Sequence, residues 1–291
     1  MEISTTALRA KRSCASGYRW FARRFSSAAE YLRVVDALVD DGRIDDACWL
    51  IDRFGPVDAV RSLDELSAEA FVFPGSLQVR HGVEVDTVLR IGGSLSTGGG
   101  VRAGTVLMVD ADLRCGAGLR TERLRCGGDV VAGWSVEASG SLVCAGDLRV
   151  QGDLGCAGAL SVGGTLVLSG DLQVGGAAEC GKSLRAGGHV VCGEGLKVGH
   201  GVQAAGDVRS GVHLDAGWGV VAGGDIVAEG AIRAGESLVS GGEVRSGAGY
   251  GVHAGSSVRR EAWSSCGRVV SRTRPGELRS GAWLPAAEGT A

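Results

Sequence analysis

The sequence is poor in the residues that usually fill a globular core. Phe, Trp and Tyr make up only 5% of its 291 residues, although aromatic side chains bury the largest areas and ordinarily dominate a domain interior. Proline is equally scarce, with four in the chain and none between Pro74 and Pro275. No stretch approaches the roughly eighteen consecutive apolar residues of a membrane-spanning helix. A formal net charge of −3 and a pI near 6.0 leave no electrostatic case for binding nucleic acid or an anionic membrane. The N-terminal stretch MEISTTALRAKRSCASGYRWF has neither the apolar region nor the cleavage pattern of a secretory signal. Nine cysteines, an odd number without Cys-x-x-Cys spacing, argue against a disulfide framework and a zinc site, and lead us to expect a reducing cytoplasm.

Glycine is abundant instead, at 51 residues where ordinary usage would give about 20. With 44% hydrophobic residues the chain is neither a disordered Gly-rich tract nor collagen. Its core has to be made of small aliphatic side chains, which repeat architectures provide.

Residues 1–72 have helical texture. Ala7 to Phe25 reads as one amphipathic helix. Ser26 or Ser27 is an N-cap candidate before AAEYLRVVDALVDD, and Gly42 is a stop. Ile44 to Phe54 reads as a further helix with Asp45 and Asp46 in its first turn, ended by Gly55 and Pro56.

The repeat follows. Leu77, Val83, Leu89, Leu95, Val101, Leu107, Leu113 and Leu119 are six apart, one residue is dropped, and the series restarts at Leu124. From Leu124 to Val244 there are 21 positions six apart, of which 20 are Leu, Ile or Val, with Ala178 the exception. Two residues after each lies a second series of Ala, Cys, Ser or Val, with Leu168 the one larger member. A spacing of two puts both side chains on one face of a strand. Each hexad is therefore a short strand with one bulky and one small residue inward, followed by a turn whose glycines are expected to supply positive φ and tight packing. These features predict a mainly β fold: a single-stranded β-solenoid of about 18 residues per coil and about 10 coils, over residues 73–258. A small N-terminal α-helical domain would precede it, and residues 259–291 would form a C-terminal cap with a loose end.

The period of six resembles left-handed hexapeptide-repeat acyltransferases, although their order puts the small residue before the aliphatic rather than after it, as in Leu148-Arg149-Val150. Runs such as Gly224-Asp-Ile-Val-Ala and Gly206-Asp-Val-Arg-Ser look more like bactofilins. That resemblance implies a bacterial structural protein, a right-handed solenoid that polymerises end to end without nucleotide. Cys14-Ala-Ser-Gly-Tyr-Arg-Trp-Phe and Gly42-Arg-Ile-Asp-Asp-Ala-Cys-Trp-Leu resemble a helical module of repeat-bearing bacterial and phage-related proteins.

Candidate chemistry is sparse. His189 and His213 occupy the same slot of the hexad turn and His200 the slot before, spacings that do not bring three histidines to one site. Solvated turn residues are the expectation. Cys115, Cys126, Cys144, Cys156, Cys180 and Cys192 fall in the inward small series and read as small core hydrophobes, although Cys126 and Cys144 would lie one above the other near disulfide range. Gly98-Gly99-Gly100 lacks the Lys-Ser/Thr and helix of a phosphate loop. Asp129, Asp147, Asp153, Asp171, Asp207 and Asp225 read as turn formers, and the near absence of outward Thr rows speaks against ice binding. No catalytic, cofactor-binding or metal-binding residue is assigned. One wall places Val131, Val167, Val221 and Val239 outward, a partly apolar strip of the kind that marks an interface. The expected function is a non-enzymatic scaffold that self-associates, as a homo-oligomer or filament, or displays its helical domain to a protein partner, without cofactor, nucleic acid or membrane span. The alternatives are an acyltransferase-like enzyme and a phage- or defence-related recognition protein.

Overall fold

The computed structural model describes residues 1–286. It consists of a helical module built on a β-solenoid whose coils stack in parallel. The chain opens with β1 (Glu2–Ser4), then α1 (Thr5–Ala10), α2 (Ala15–Phe25), β2 (Ala28–Glu30), α3 (Tyr31–Asp40) and α4 (Ile44–Phe54). Two local expectations are corrected. The helix read across Ala7 to Phe25 is two helices, because the chain turns at Arg12 (φ 58°) and Cys14 caps α2 by accepting the Gly17 N–H on Sγ at 3.1 Å. Neither Ser26 nor Ser27 is an N-cap: Ser26 has φ 63° and the next residues form β2, antiparallel to β1. Glu30 precedes α3 without a side-chain cap bond. Gly42 and Gly55, at φ 68° and 81°, end α3 and α4 in the left-handed conformation that glycine adopts at low cost. Ile3, Phe21, Tyr31, Val35, Leu50 and Ile51 form the interior of this module.

Each solenoid coil visits three walls in turn. In the first coil these are Val60–Leu63, Leu66–Ala68 and Phe71–Phe73. The ladder thus starts at Val60, earlier than residue 73. It continues past residue 258 through Arg268–Ser271 and Ala282–Pro285, which extend the first wall to 13 strands. The solenoid therefore has about 13 turns rather than 10, because coils with degenerate sequence flank the regular ones. The segment read as a cap also contains a short helix, Trp263–Cys266. The loose end expected at the C-terminus falls in residues 287–291, outside the described residues.

The interior is the one the period implies. Leu148, Leu166 and Val202 of the first wall are at most 2% exposed and face each other rung by rung, with Leu184 between Leu166 and Val202. The dropped residue between Leu119 and Leu124 has a clear structural counterpart. There the strand Leu119–Cys126 runs straight around the corner between the second and third walls, and its pairing with Val101–Val109 shifts register between Ala103 and Val106, a bulge that absorbs the missing position.

The role expected of the corner glycines is half corrected. None from Gly75 to Gly247 lies in the left-handed region. What excludes a side chain is the coil below: a Cβ on Gly181 would sit 2.2 Å from the Gly163 carbonyl oxygen, and one on Gly199 2.1 Å from that of Gly181. Close stacking of corners, rather than backbone strain, selects glycine.

Candidate functional site

The helical module sits on the outer face of the third wall at its first coils. Two outward positions that would otherwise face water are buried there. Val72 joins the module's core, and Arg90, its rung neighbour, is only 2% exposed. Arg90 donates to Asp52 of α4 at 3.0 Å, to Asp110 of the solenoid at 2.7 Å and to the Ile91 carbonyl at 3.0 Å. Burial opposes its charge, but the hydrogen bonds to Asp110 and Asp52 outweigh it, and the guanidinium is held above its ordinary pKa. A second bridge joins Arg61 of the first coil to Asp36 of α3 at 3.2 Å. The Tyr31 hydroxyl donates to the Gly55 carbonyl at 3.1 Å, and burial pushes its phenol well above the ordinary range. The module is thus pinned to the solenoid by charge-assisted bonds on two walls.

The module carries a concave pocket of about 330 Å³. Leu8, Phe21, Val34, Leu38 and Leu50 form its floor, and Trp20, Trp49, Asp45, Arg12 and Cys14 stand at its mouth. Trp20 is oriented by donating its indole N–H to Asp41 at 2.6 Å. Arg43 is engaged by Asp46 and by Ser16. This apolar hollow with a few polar groups at its rim is a binding-site geometry.

On the solenoid, the four valines named from sequence all point outward from the first wall, in the register Val131, Arg149, Val167, Arg185, Gln203, Val221, Val239. The structure brings only Val221 and Val239 together. Val131 and Val167 stand apart, separated by Arg149, which is neutralised by Asp147 of its own coil at 2.7 Å. The column then continues through Val270 and Leu284, two residues beyond the break in period and invisible to six-residue counting. Val221 is 45% exposed and Leu284 41%. The other two walls differ. Their outward columns carry ion pairs between rungs, Glu84 to Arg102 at 2.9 Å and Arg120 to Glu137 at 2.6 Å on the second, and Glu179 to Lys197 at 2.9 Å and Asp215 to Arg233 at 3.2 Å on the third.

His189, His213 and His200 lie at three different corners of the coil, so the structure does not bring them together. They are also more than solvated turn residues. His189 Nδ1 accepts the Asp207 N–H at 3.0 Å and His213 Nδ1 the Ala231 N–H at 2.9 Å, while His200 stacks flat on Trp218 with ring centroids 4.2 Å apart. His189 belongs to a ladder in which each side chain accepts the backbone N–H of the next coil: Asp153 from Asp171, Asp171 from His189, Asp207 from Asp225, and Asp225 from Glu243, all at 2.6–2.9 Å. Asp129 and Asp147 do the same at another corner. The recurring Gly-Asp pair follows from this ladder, because a Cβ on Gly224 would meet Asp207 Oδ1 at 2.0 Å.

All nine cysteines are free thiols, Cys126 and Cys144 among them despite their adjacent rungs. The inward ones do more than fill space. The Cys126 S–H is 3.0 Å from the Ala111 carbonyl, and Cys144, Cys156 and Cys180 make equivalent bonds at 3.2–3.3 Å. Ser210 and Ser240 occupy the same series and donate at 2.8 and 2.7 Å. The signal was present in sequence, since Cys and Ser recur through the inward small series and both carry a donor. Burial pushes the thiols up, to about 11 for Cys115 and Cys126 and about 12 for Cys192, so they are poor nucleophiles. Among the described residues no cluster of three or more His, Cys, Asp or Glu is arranged to hold a metal, and no helix is long and apolar enough to cross a membrane.

Residues 1–54 match a family model described as the YdhT N-terminal domain. The matched span ends at the last residue of α4, where the helical module ends. No curated protein and no solved structure matches the chain.

Proposed function

We propose that the protein is a non-catalytic scaffold: a rigid bactofilin-like rod of stacked coils that holds the helical module, and its pocket, in a fixed place near one end. The observation that carries this reading is the Arg90 bridge. A buried guanidinium shared between α4 and the solenoid is costly to expose and fixes the module's position, which a flexible tether would not require. The unbroken ladder from Leu124 to Val244 supports it, because no loop is thrown out of those coils to shape a cleft.

Negative-stain images of the protein test this directly. At about 4.8 Å per rung the rod should be roughly 60 Å long, with a knob in one constant position. The double substitution Asp52→Asn with Asp110→Asn strands Arg90 and should destabilise the joint by about 3–5 kcal/mol, seen as a mobile knob and new proteolytic cleavage near residues 55–59. A knob that already varies in position in the unsubstituted protein would overturn the scaffold reading. So would stabilisation of the fold by acetyl-CoA, which would favour the acyltransferase reading. The pocket supports the recognition aspect, in which a protein partner binds the displayed module.

A further inference from the structure

We infer that the outer face of the first wall is the docking surface for a second copy of this chain, the two rods lying side by side and pointing the same way. The inference rests on the scaffold reading and names the partner of that scaffold.

Three observations select this wall. The second and third walls carry inter-rung ion pairs on their outward columns, Glu84 with Arg102, Arg120 with Glu137, Glu179 with Lys197 and Asp215 with Arg233, whereas the first wall has none among the described residues and ends in four successive apolar outward residues, Val221, Val239, Val270 and Leu284. The same wall carries Val131 and Val167 farther down. Of its cations there, Arg114 is bound by Asp112 at 3.0 Å and Arg149 by Asp147 at 2.7 Å, which leaves Arg185, among the described residues, as the one charge that pairing would have to cover unneutralised. The helical module packs over Val72 and Arg90 of the third wall and reaches the first wall only through the Arg61–Asp36 bridge of the first coil, away from the four apolar rungs at the other end.

A second copy is the occupant that fits. An apolar column repeating once per rung interdigitates best with a surface of identical rung spacing, and another molecule of this solenoid has that spacing by construction. Area decides between the two symmetric arrangements. Antiparallel rods centred on the apolar rungs would overlap only at their ends and bury too little. Parallel rods, related by a two-fold axis along the rod, overlap over all 13 rungs of the wall. With rungs about 4.8 Å apart and three-residue strands about 10 Å long, that is roughly 600 Å² per copy, the lower limit of a specific interface at about 1,200 Å² in total. Each residue then meets its own counterpart. Val221, Val239, Val270 and Leu284 pack on themselves, and Arg185, which has no ion-pair partner among the described residues, faces a second Arg185. The geometry therefore contains both an attractive and a repulsive element, which act in opposite directions when replaced.

Sedimentation velocity of the purified protein across a concentration series reads this out. The unsubstituted protein should show a reversible monomer–dimer equilibrium. Val239→Lys with Val270→Lys, both at outward positions, should weaken it at least roughly tenfold, and Arg185→Gln should tighten it several-fold. Val191→Lys, on the second wall, should leave it unchanged. Far-UV circular dichroism of each variant establishes that the coils remain folded. A monomer at all concentrations, a dimer indifferent to the two lysines, or weakening by Arg185→Gln would overturn the inference. A monomeric rod with a fixed knob in negative stain would sink the pairing while leaving the scaffold reading intact, and a dimer with a wandering knob would do the reverse.

Discussion

The helical module and the solenoid bury apolar surface in opposite ways. In the module, Phe21 and Tyr31 are the largest fully buried side chains, and Phe21 and Phe25 pack with ring centroids 5.4 Å apart. In the solenoid the only buried aromatic among the described residues is Phe73, in the first coil. Above it, among the described residues, the core is a column of Leu, Ile and Val backed by Ala, Cys and Ser. The module is a three-dimensional core in which every large residue touches several elements. The solenoid is a stack in which each residue chiefly touches the same residue one coil away, so its stability is close to a sum of neighbouring terms. Beyond the first coil the narrow triangular tube is filled by aliphatic pairs, which accounts for the scarcity of aromatic residues in the composition.

The largest effects should come from attacking each core in its own terms. Phe21→Ala should cost about 3–5 kcal/mol and Leu148→Ala about 2–5 kcal/mol. In urea unfolding followed by circular dichroism, the first should remove the helical signal at a lower midpoint and leave the β-signal in place, whereas the second should lower the β-transition. A single shared transition shifted equally by both would break the comparison and show that the two regions fold as one unit.

Glycine sharpens it next. Gly199→Ala places a Cβ 2.1 Å from the Gly181 carbonyl oxygen and should cost about 1–3 kcal/mol by forcing coils apart. Gly155→Ala lies at an outward strand position with nothing within 4 Å, and should be neutral or slightly stabilising. Equal effects in thermal melts would show that corner contact is not what selects glycine.

The smallest effect belongs to the carboxylate ladders, which the module lacks. The N–H of Asp225 holds the Asp207 carboxyl below its ordinary value, burial opposing and Arg209 assisting, and the N–H of Thr165 does the same for Asp147. A carboxylate with a depressed folded pKa stabilises the fold above its unfolded value, near 4, and that contribution is lost as pH falls through the depressed value. Asp207→Ala should therefore cost about 1 kcal/mol at neutral pH and little at the acid extreme. An equal loss at pH 7 and pH 2.5 would rule out the ladder as its source.

Much of the fold was legible because the solenoid is written in one period. A residue such as Leu166 has one environment, repeated, so a count of six with a partner two along assigns wall, face and neighbour together. The stacking of Cys126 on Cys144 followed from that arithmetic. Where the period degenerates the reading stopped short. Val60 and Leu66 pair as coil strands, and Val270 and Leu284 complete the apolar column, yet none belongs to the six-residue series. The split at Arg12 was hidden because residues 7 to 25 keep helical spacing on both sides of the turn. The pocket's floor was equally hidden, since Leu8, Phe21, Leu38 and Leu50 come from different helices and no spacing joins them.

The sequence by itself determined the tube: the period, the inward pair of each hexad, the scarcity of proline and aromatics, and the free buried thiols all express contacts between equivalent positions one coil apart. Only the tertiary structure decided what the tube carries. That Arg90 is buried rather than solvated, that glycine is chosen for the carbonyl beneath it rather than for its own φ, and that four apolar residues align on one wall are facts about groups distant in the chain. Periodicity fixes neighbours separated by a constant number of residues. It is silent on neighbours brought together by the packing of one unit against another.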